Sequence, residues 1–196
     1  LFNISGTCFA SLGQLDNAIK GYKKALILKP DYAEVHNNIG FAFQKLNQLD
    51  AAIKSYEKAI AISPNYAEAH NNLGNTYKEI GQLNAAIKNY ETAIAINPNY
   101  ADAHYNMGVT LKGLGQFDAA VRSYENAIAI NPNYADAYNN LGVTFQELGQ
   151  LDNAVKCYEK TVAIKPNFVD AYYNLGIALK KLGQLDAAVK SYKNAI

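Results

Sequence analysis

The sequence predicts an all-α solenoid of about six 34-residue helix–turn–helix repeats, and three observations predict it. Pro30, Pro64, Pro98, Pro132 and Pro166, which are all five prolines of the chain, recur at a constant step of 34 residues. Gly6, Gly40, Gly74, Gly108, Gly142 and Gly176 keep the same step, and so do Tyr22, Tyr56, Tyr90, Tyr124, Tyr158 and Tyr192. No insertion or deletion interrupts the period. The 196 residues therefore read as a single array with repeats at about 1–32, 33–66, 67–100, 101–134, 135–168 and 169–196. One such hairpin cannot bury its own apolar face, so each repeat must be stabilised by stacking on its neighbours.

Each repeat reads as two helices. In residues 65–98, Asn65 after Pro64 is placed as an N-cap with Glu68 completing a capping box. Asp31 with Glu34, and Asn99, Asn133 and Asn167 with Asp102, Asp136 and Asp170, take the same form. Ala69, Leu73, Tyr77 and Ile80 then recur at helical spacing. Gly81 falls where a left-handed residue ends a helix, and its equivalents are Gly13, Asn47, Gly115, Gly149 and Gly183. Asparagine is the next residue most at ease in that conformation. The second helix is expected to start after Asn84, whose equivalents Asp16, Asp50, Asp118, Asp152 and Asp186 are all good caps. Ala86, Ile87, Tyr90, Ala93 and Ile94 form its buried stripe, and Pro98 stops it by pushing the preceding residue out of the helical region. Gly74 and Ala86 are small enough to let the two helices approach closely.

Composition sets bounds on function. With 18 basic and 17 acidic side chains the formal net charge is +1, so no global field draws in nucleic acid or an anionic membrane. No apolar run reaches the roughly 18–20 residues of a membrane span, and the start has no signal-peptide pattern. Cys8 and Cys157 show no C-x-x-C spacing, which favours a reducing, cytoplasmic setting over a disulfide or zinc framework. Cys157 shares a column with Gly21, Ser55, Asn89, Ser123 and Ser191 and is expected to be exposed. Cys8 shares one with Ala42 and Thr76 and is expected to be buried. His36, His70 and His104 stand a repeat apart, too far to share a metal bound at roughly 2.0–2.1 Å. No phosphate loop, G-x-S-x-G or H-E-x-x-H occurs, so neither an enzyme nor a cofactor is predicted.

His70, Leu73, Gly74, Tyr77, Ala86, Tyr90, Ala93 and Pro98 together resemble the signature of the tetratricopeptide repeat (TPR) family, and the match repeats in register along the chain. His70 departs from the large aromatic often found there. The resemblance implies a right-handed α-α superhelix in which first helices line the concave face. The ends stop within repeats, so the chain is expected to be a fragment of a longer one, and self-association through uncapped terminal repeats is a further expectation.

On those first helices Asn38, Asn72, Asn106, Asn140 and Asn174 recur once per repeat. Asparagine is a mediocre helix former, so five in register require a reason. One reading is a ligand ladder. Each carboxamide offers a donor and an acceptor to a peptide group, and first helices roughly 9–10 Å apart would meet about every third residue of a chain advancing about 3.3 Å per residue. The other reading is a hydrogen-bond ladder between repeats. The column resembles the asparagine ladder in the repeat region of O-linked N-acetylglucosamine transferases, to which the run Asn71-Asn72-Leu73-Gly74 is similar. Beside it stand Asn37, Asn71, Tyr105, Asn139 and Tyr173, placed either for contact with a ligand or to cover solvent-facing surface. Phe41, Asn75, Val109, Val143 and Ile177 lie one turn on and suggest a moderately apolar groove. With Glu34, Glu68, Asp102, Asp136 and Asp170 where carboxylate-clamping members of the family carry bases, capture of a C-terminal carboxylate is disfavoured.

The sequence thus points to a non-catalytic scaffold that binds a protein surface or extended peptide along its concave face. A substrate-docking arm of a larger glycosyltransferase or sulfotransferase, or a self-assembling scaffold, are the alternatives.

Overall fold

The structure, a computed structural model, describes residues 2–195. Every regular element among them is helical, and the helices divide between two compact units, Leu1–Pro98 and Asn99–Ile196. The first unit holds α1 (Phe2–Ser11), α2 (Leu15–Leu28), α3 (Ala33–Lys45), α4 (Leu49–Ile62), α5 (Ala67–Glu79) and α6 (Leu83–Ile96). The second holds α7 (Ala101–Gly113), α8 (Phe117–Ile130), α9 (Ala135–Glu147), α10 (Leu151–Ile164), α11 (Val169–Lys181) and α12 (Leu185–Asn194). Odd-numbered helices are the first of each hairpin and even-numbered helices the second.

Packing within each unit follows the repeat. Each first helix packs on its own second helix, and each second helix packs on the first helix of the next repeat. First helices of successive repeats also touch, as α1–α3 and α3–α5 in the first unit and α7–α9 and α9–α11 in the second. Successive second helices show no such approach among the described residues, so the first helices form the inner side of each unit.

The core is a column of tyrosine and alanine. Tyr56, Tyr90, Tyr124 and Tyr158 are fully buried, as are Ala52, Ala86, Ala120 and Ala154 one turn before them. Each ring lies where a first-helix side chain would otherwise stand. A Cβ added at Gly74 would meet Tyr90 Cε1 at 2.6 Å and the Ala86 carbonyl oxygen at 3.1 Å. Close approach at Gly74 was legible in the sequence, and the tyrosine ring is what requires it. Nearest-neighbour stacking completes the core, as where Ala52 and Tyr56 of one repeat meet Leu73 of the next.

The turns are built from backbone. Gly81 has φ +78° and Asn47 φ +57°. Gln82 N–H donates to the Tyr77 carbonyl (2.9 Å) and Gly81 N–H to that of Lys78 (3.0 Å), the paired bonds of a Schellman ending. Asn47 and Gln48 repeat the arrangement on Gln44 and Phe43. Before Pro98, Asn97 is extended at φ −131°, ψ 92°, so the proline ends α6 as expected.

The side-chain caps expected from sequence are not made. Tyr32, Tyr66, Tyr100, Tyr134 and Phe168 occupy the N-cap positions of α3, α5, α7, α9 and α11, with no side-chain cap bond. Asn65 falls one residue too early, inside a turn closed by Tyr66 N–H on the Ser63 carbonyl at 3.2 Å. Glu68 becomes the second residue of α5 and faces another repeat. Gln82, not Asn84, caps α6, because the chain re-enters a helix directly after left-handed Gly81. The Asp16, Asp50, Asp118, Asp152 and Asp186 side chains act instead in the first turn, where the helix dipole favours an acid.

Gly74→Ala is therefore expected to destabilise the fold by about 1–3 kcal/mol through overpacking against Tyr90. Chemical denaturation of the variant beside the parent measures this, and an unchanged midpoint would contradict the crossing described here.

Candidate functional site

The inner row of each unit carries the asparagine column. Asn38, Asn72, Asn106, Asn140 and Asn174 are all half-buried. In the first unit Asn72 Nδ2 donates to Asn37 Oδ1 at 3.1 Å, and Asn37 Nδ2 donates to Glu68 Oε1 at 3.2 Å. A carboxylate can only accept, so Glu68 fixes the orientation of Asn37, and Asn37 in turn fixes Asn72 with its Nδ2 directed inward. The carboxamide oxygen of Asn72 is left as the group turned away from this relay. Asn3 makes the corresponding bond to Glu34 Oε1 at 3.5 Å.

This relay corrects the reading of the neighbouring column. Asn37 and Asn71 are buried, 1% and 4% exposed, so neither covers solvent-facing surface nor offers itself to a ligand. Asn37 sits where α3 meets α5, and Glu68, one repeat on, draws it inward. Tyr105 and Asn139, in the same column, are half-buried, and Tyr173 is 56% exposed.

The second unit holds a different arrangement. Asn140 Nδ2 donates to the Tyr105 hydroxyl at 2.9 Å. The Tyr105 ring lies 4.9 Å from that of Tyr134 and 6.0 Å from that of Tyr124, centroid to centroid. Tyr134 donates its hydroxyl to Asp102 Oδ1 at 2.8 Å. Burial, and then the bond and charge of Asp102, push the Tyr134 phenol far above its ordinary range, so it stays a donor at any working pH. Burial followed by the charge of Asp136 raises Tyr105 as well. Tyr173 packs against Tyr192 at 5.9 Å and presents its other face to solvent.

The core tyrosine hydroxyls of the two units differ in their pairing, although the first unit also leaves buried atoms such as Asn3 Oδ1 unpaired. In the first, Tyr22, Tyr56 and Tyr90 hydroxyls donate to Thr7 Oγ1, Gln44 Oε1 and Asn75 Oδ1. In the second, the buried hydroxyls of Tyr124 and Tyr158 find no partner, and neither do the buried Asn139 Oδ1 and Gln146 Oε1. Each such atom costs roughly 1–3 kcal/mol relative to a satisfied one. Val109 and Val143 stand where Thr7 and Asn75 accept in the first unit, while Gln146, the counterpart of Gln44, keeps an Oε1 that is itself unpaired.

Comparison with known proteins places this architecture. The TPR repeat profile matches residues 6–47, 45–81, 74–115, 113–149 and 144–183. The chain belongs to the tetratricopeptide repeat family. It is similar to the crystal structure of MamA, at 37% identity and TM-score 0.75 over 80% of this chain and 92% of that one. YrrB, described as a TPR protein with an unusual peptide-binding site, matches at 24% identity and TM-score 0.74 over 89% and 90% of the two chains. PilF of Pseudomonas aeruginosa shares the fold at 18% identity and TM-score 0.88 over 97% and 86%. No curated protein sequence matches the chain.

The remaining sequence-derived candidates fall into place on this TPR frame. His36 and His70 each donate from Nε2 to the carbonyl of the proline six residues earlier, Pro30 and Pro64, at 3.0 Å, a packing role. No three His, Cys, Asp or Glu side chains among the described residues are placed to share a metal ion, and no described helix is long and apolar enough to cross a membrane. The two cysteines are the reverse of expectation. Cys157 is buried with Ser55, Ser123 and Ser191 of its column, whereas Cys8 is exposed.

Burial and then the nearby Glu125 push the Cys157 thiol up to about 12. At pH 8 it is thus protonated as well as inaccessible, and the thiolate is the reactive form. Maleimide labelling of the native protein is expected to modify Cys8 and spare Cys157 until denaturant is added. Mass mapping that finds both labelled at equal rates would contradict this burial.

Proposed function

We propose that the chain is a non-catalytic scaffold that binds an extended peptide, or an extended segment of a partner protein, along the first-helix side through the asparagine column. One observation supports this above the others. Where Asn72 and Asn140 are bonded to a neighbouring repeat they are bonded through Nδ2, so each retains its Oδ1 to accept a backbone N–H. The bonds between repeats thus orient the ladder, and the structural and ligand-binding roles of the column coexist. Asn38, Asn106 and Asn174 belong to the same row, Tyr105, Asn139 and Tyr173 stand beside it, and Asn37 and Asn71 act from behind as positioning residues. The peptide-binding site ascribed to YrrB agrees with this use of the fold. Reading backbone through carboxamides tolerates many side-chain sequences, and nothing in the mechanism needs a cofactor or a compartment other than the cytoplasm.

A second reading is a substrate-docking arm of a larger transferase. It draws on the likeness of Asn71-Asn72-Leu73-Gly74 to the repeats of the O-linked N-acetylglucosamine transferases, and it would use the same wall. A full-length reading frame without a transferase domain would remove it.

The triple variant N72A/N106A/N140A tests the main reading. Peptides selected on the parent from a random display library are expected to bind it about tenfold or more weaker, the loss of three hydrogen bonds of about 0.5–1.5 kcal/mol each. Helicity by circular dichroism should be retained. Unchanged affinity would take the ladder out of the mechanism.

A further inference from the structure

On the side of the first unit opposite its asparagine column, we infer that the cleft between α2 and α4 docks an acidic amphipathic helix of a partner protein. This surface is separate from the first-helix groove and does not depend on it.

α2 and α4 make no close approach among the described residues, and α3 packs against both, so a cleft is left open above α3. Leu26, Ile39 and Phe43 give it an apolar lining. Lys23 of α2 stands on one flank, and Lys54 and Lys58 of α4 stand on the other. All three lysines are exposed, and none pairs with an acid among the described residues. The cleft runs on past His36 to Pro30, where Asp31 is the one acid on its lining.

This charge is particular to the first two repeats. Where α2 carries Lys23, the corresponding residues of α4, α8 and α10 are Glu57, Glu125 and Glu159. Two of these glutamates make themselves felt in the equivalent clefts. Burial and then Glu57 raise the Tyr77 phenol, and burial and then Glu125 raise the Cys157 thiol. Tyr77 and Cys157 are the counterparts of Phe43 and Ser55, which line the α2–α4 cleft. The later clefts thus set an acid against Lys88, Lys156 or Lys190, whereas the α2–α4 cleft meets solvent with a surplus of ammonium groups.

A second departure lies beside the first. Ile27 follows Lys23 by one helical turn, on the same face, and is 79% exposed. Its counterparts are Ala61, Ala95, Ala129 and Ala163, so the repeat itself needs only a small residue there. An isoleucine so placed extends the apolar strip at the rim of a cationic cleft.

Such a surface selects a helix over an extended chain. Its occupant must turn apolar groups down onto Phe43 and carboxylates to both flanks at once. A helix presents an apolar seam with acids on either side of it, whereas a strand turns alternate residues to opposite faces. Lys54 and Lys58 stand one turn apart, about 6 Å along α4. Acids one turn apart on a helix lying along α4 have the same spacing.

A blocked, labelled peptide of about three Glu-Leu-Ala-Ala-Leu-Glu-Ala heptads, which flanks a leucine seam with glutamates, is the probe. A version with lysine for glutamate and a scrambled peptide of equal composition are the comparisons. In fluorescence anisotropy at low ionic strength, the glutamate heptads are expected to bind the full chain about fivefold or more tighter than either, and to weaken with added salt. K23E installs the glutamate that the four central repeats carry and should lower the affinity about fivefold or more. I27A, also the repeats' own residue, should lower it about twofold. K156E makes the same charge change at the α10 counterpart of Lys54 and should leave binding within about twofold, as should N72A/N106A/N140A. Equal losses from K23E and K156E, equal binding of the scrambled peptide, or no binding at all would overturn the inference. A loss confined to N72A/N106A/N140A would move the peptide to the first-helix side and overturn it as well.

Discussion

A tyrosine ring lying over a glycine holds each hairpin together, and everything on the inner wall depends on that crossing. Gly74 lets Tyr90 lie flat between α5 and α6, and the same pairing recurs at Gly40 with Tyr56, Gly108 with Tyr124 and Gly142 with Tyr158. The ring fills the volume that a first-helix side chain would take, and so sets the separation and rotation of the two helices. Fixing that rotation is what brings Asn72 within hydrogen-bond reach of Asn37, and Asn140 within reach of Tyr105, one repeat away. The tyrosine is also the only large polar group the core must accommodate in every repeat. Whether its hydroxyl finds a first-helix acceptor is therefore the point at which packing and recognition meet.

Much of the architecture was legible because the punctuating residues act locally. Gly81 and Asn47 end helices through a backbone conformation few other residues adopt, and Pro98 ends one by removing a donor and constraining its neighbour. Such effects need no knowledge of tertiary structure. The N-caps were misread because the turn chemistry is set by two neighbouring constraints at once. The Schellman bond from Gln82 fixes the restart of the chain before Asn84 can act, and the Ser63–Tyr66 turn does the same to Asn65.

The site was legible only in part. Its column could be read from periodicity, but burial within the column could not, since Asn37 is drawn in by Glu68, which lies in another repeat. One signal was available: an asparagine followed 31 residues later by a glutamate recurs at Asn3 with Glu34 and at Asn37 with Glu68. The cysteines were missed for a similar reason. A column of small residues says that a position is tolerant of size, and whether it is covered depends on which neighbouring helix lies against it.

The contrast between the two units follows from a small change in covalent chemistry. Glu34 and Glu68 accept from an asparagine of the previous repeat, whereas Asp102 accepts from the Tyr134 hydroxyl. Val109 stands where Asn75 accepts from the Tyr90 hydroxyl, and the Tyr124 hydroxyl, fifteen residues on, has no partner. A tyrosine hydroxyl already bonded to a first-helix acceptor gains nothing from a new partner, since any bond formed there displaces one already made. A buried hydroxyl without a partner, as at Tyr124, carries its cost in the free protein. Near-identical repeats can in this way differ in their polar pairing without any change of backbone.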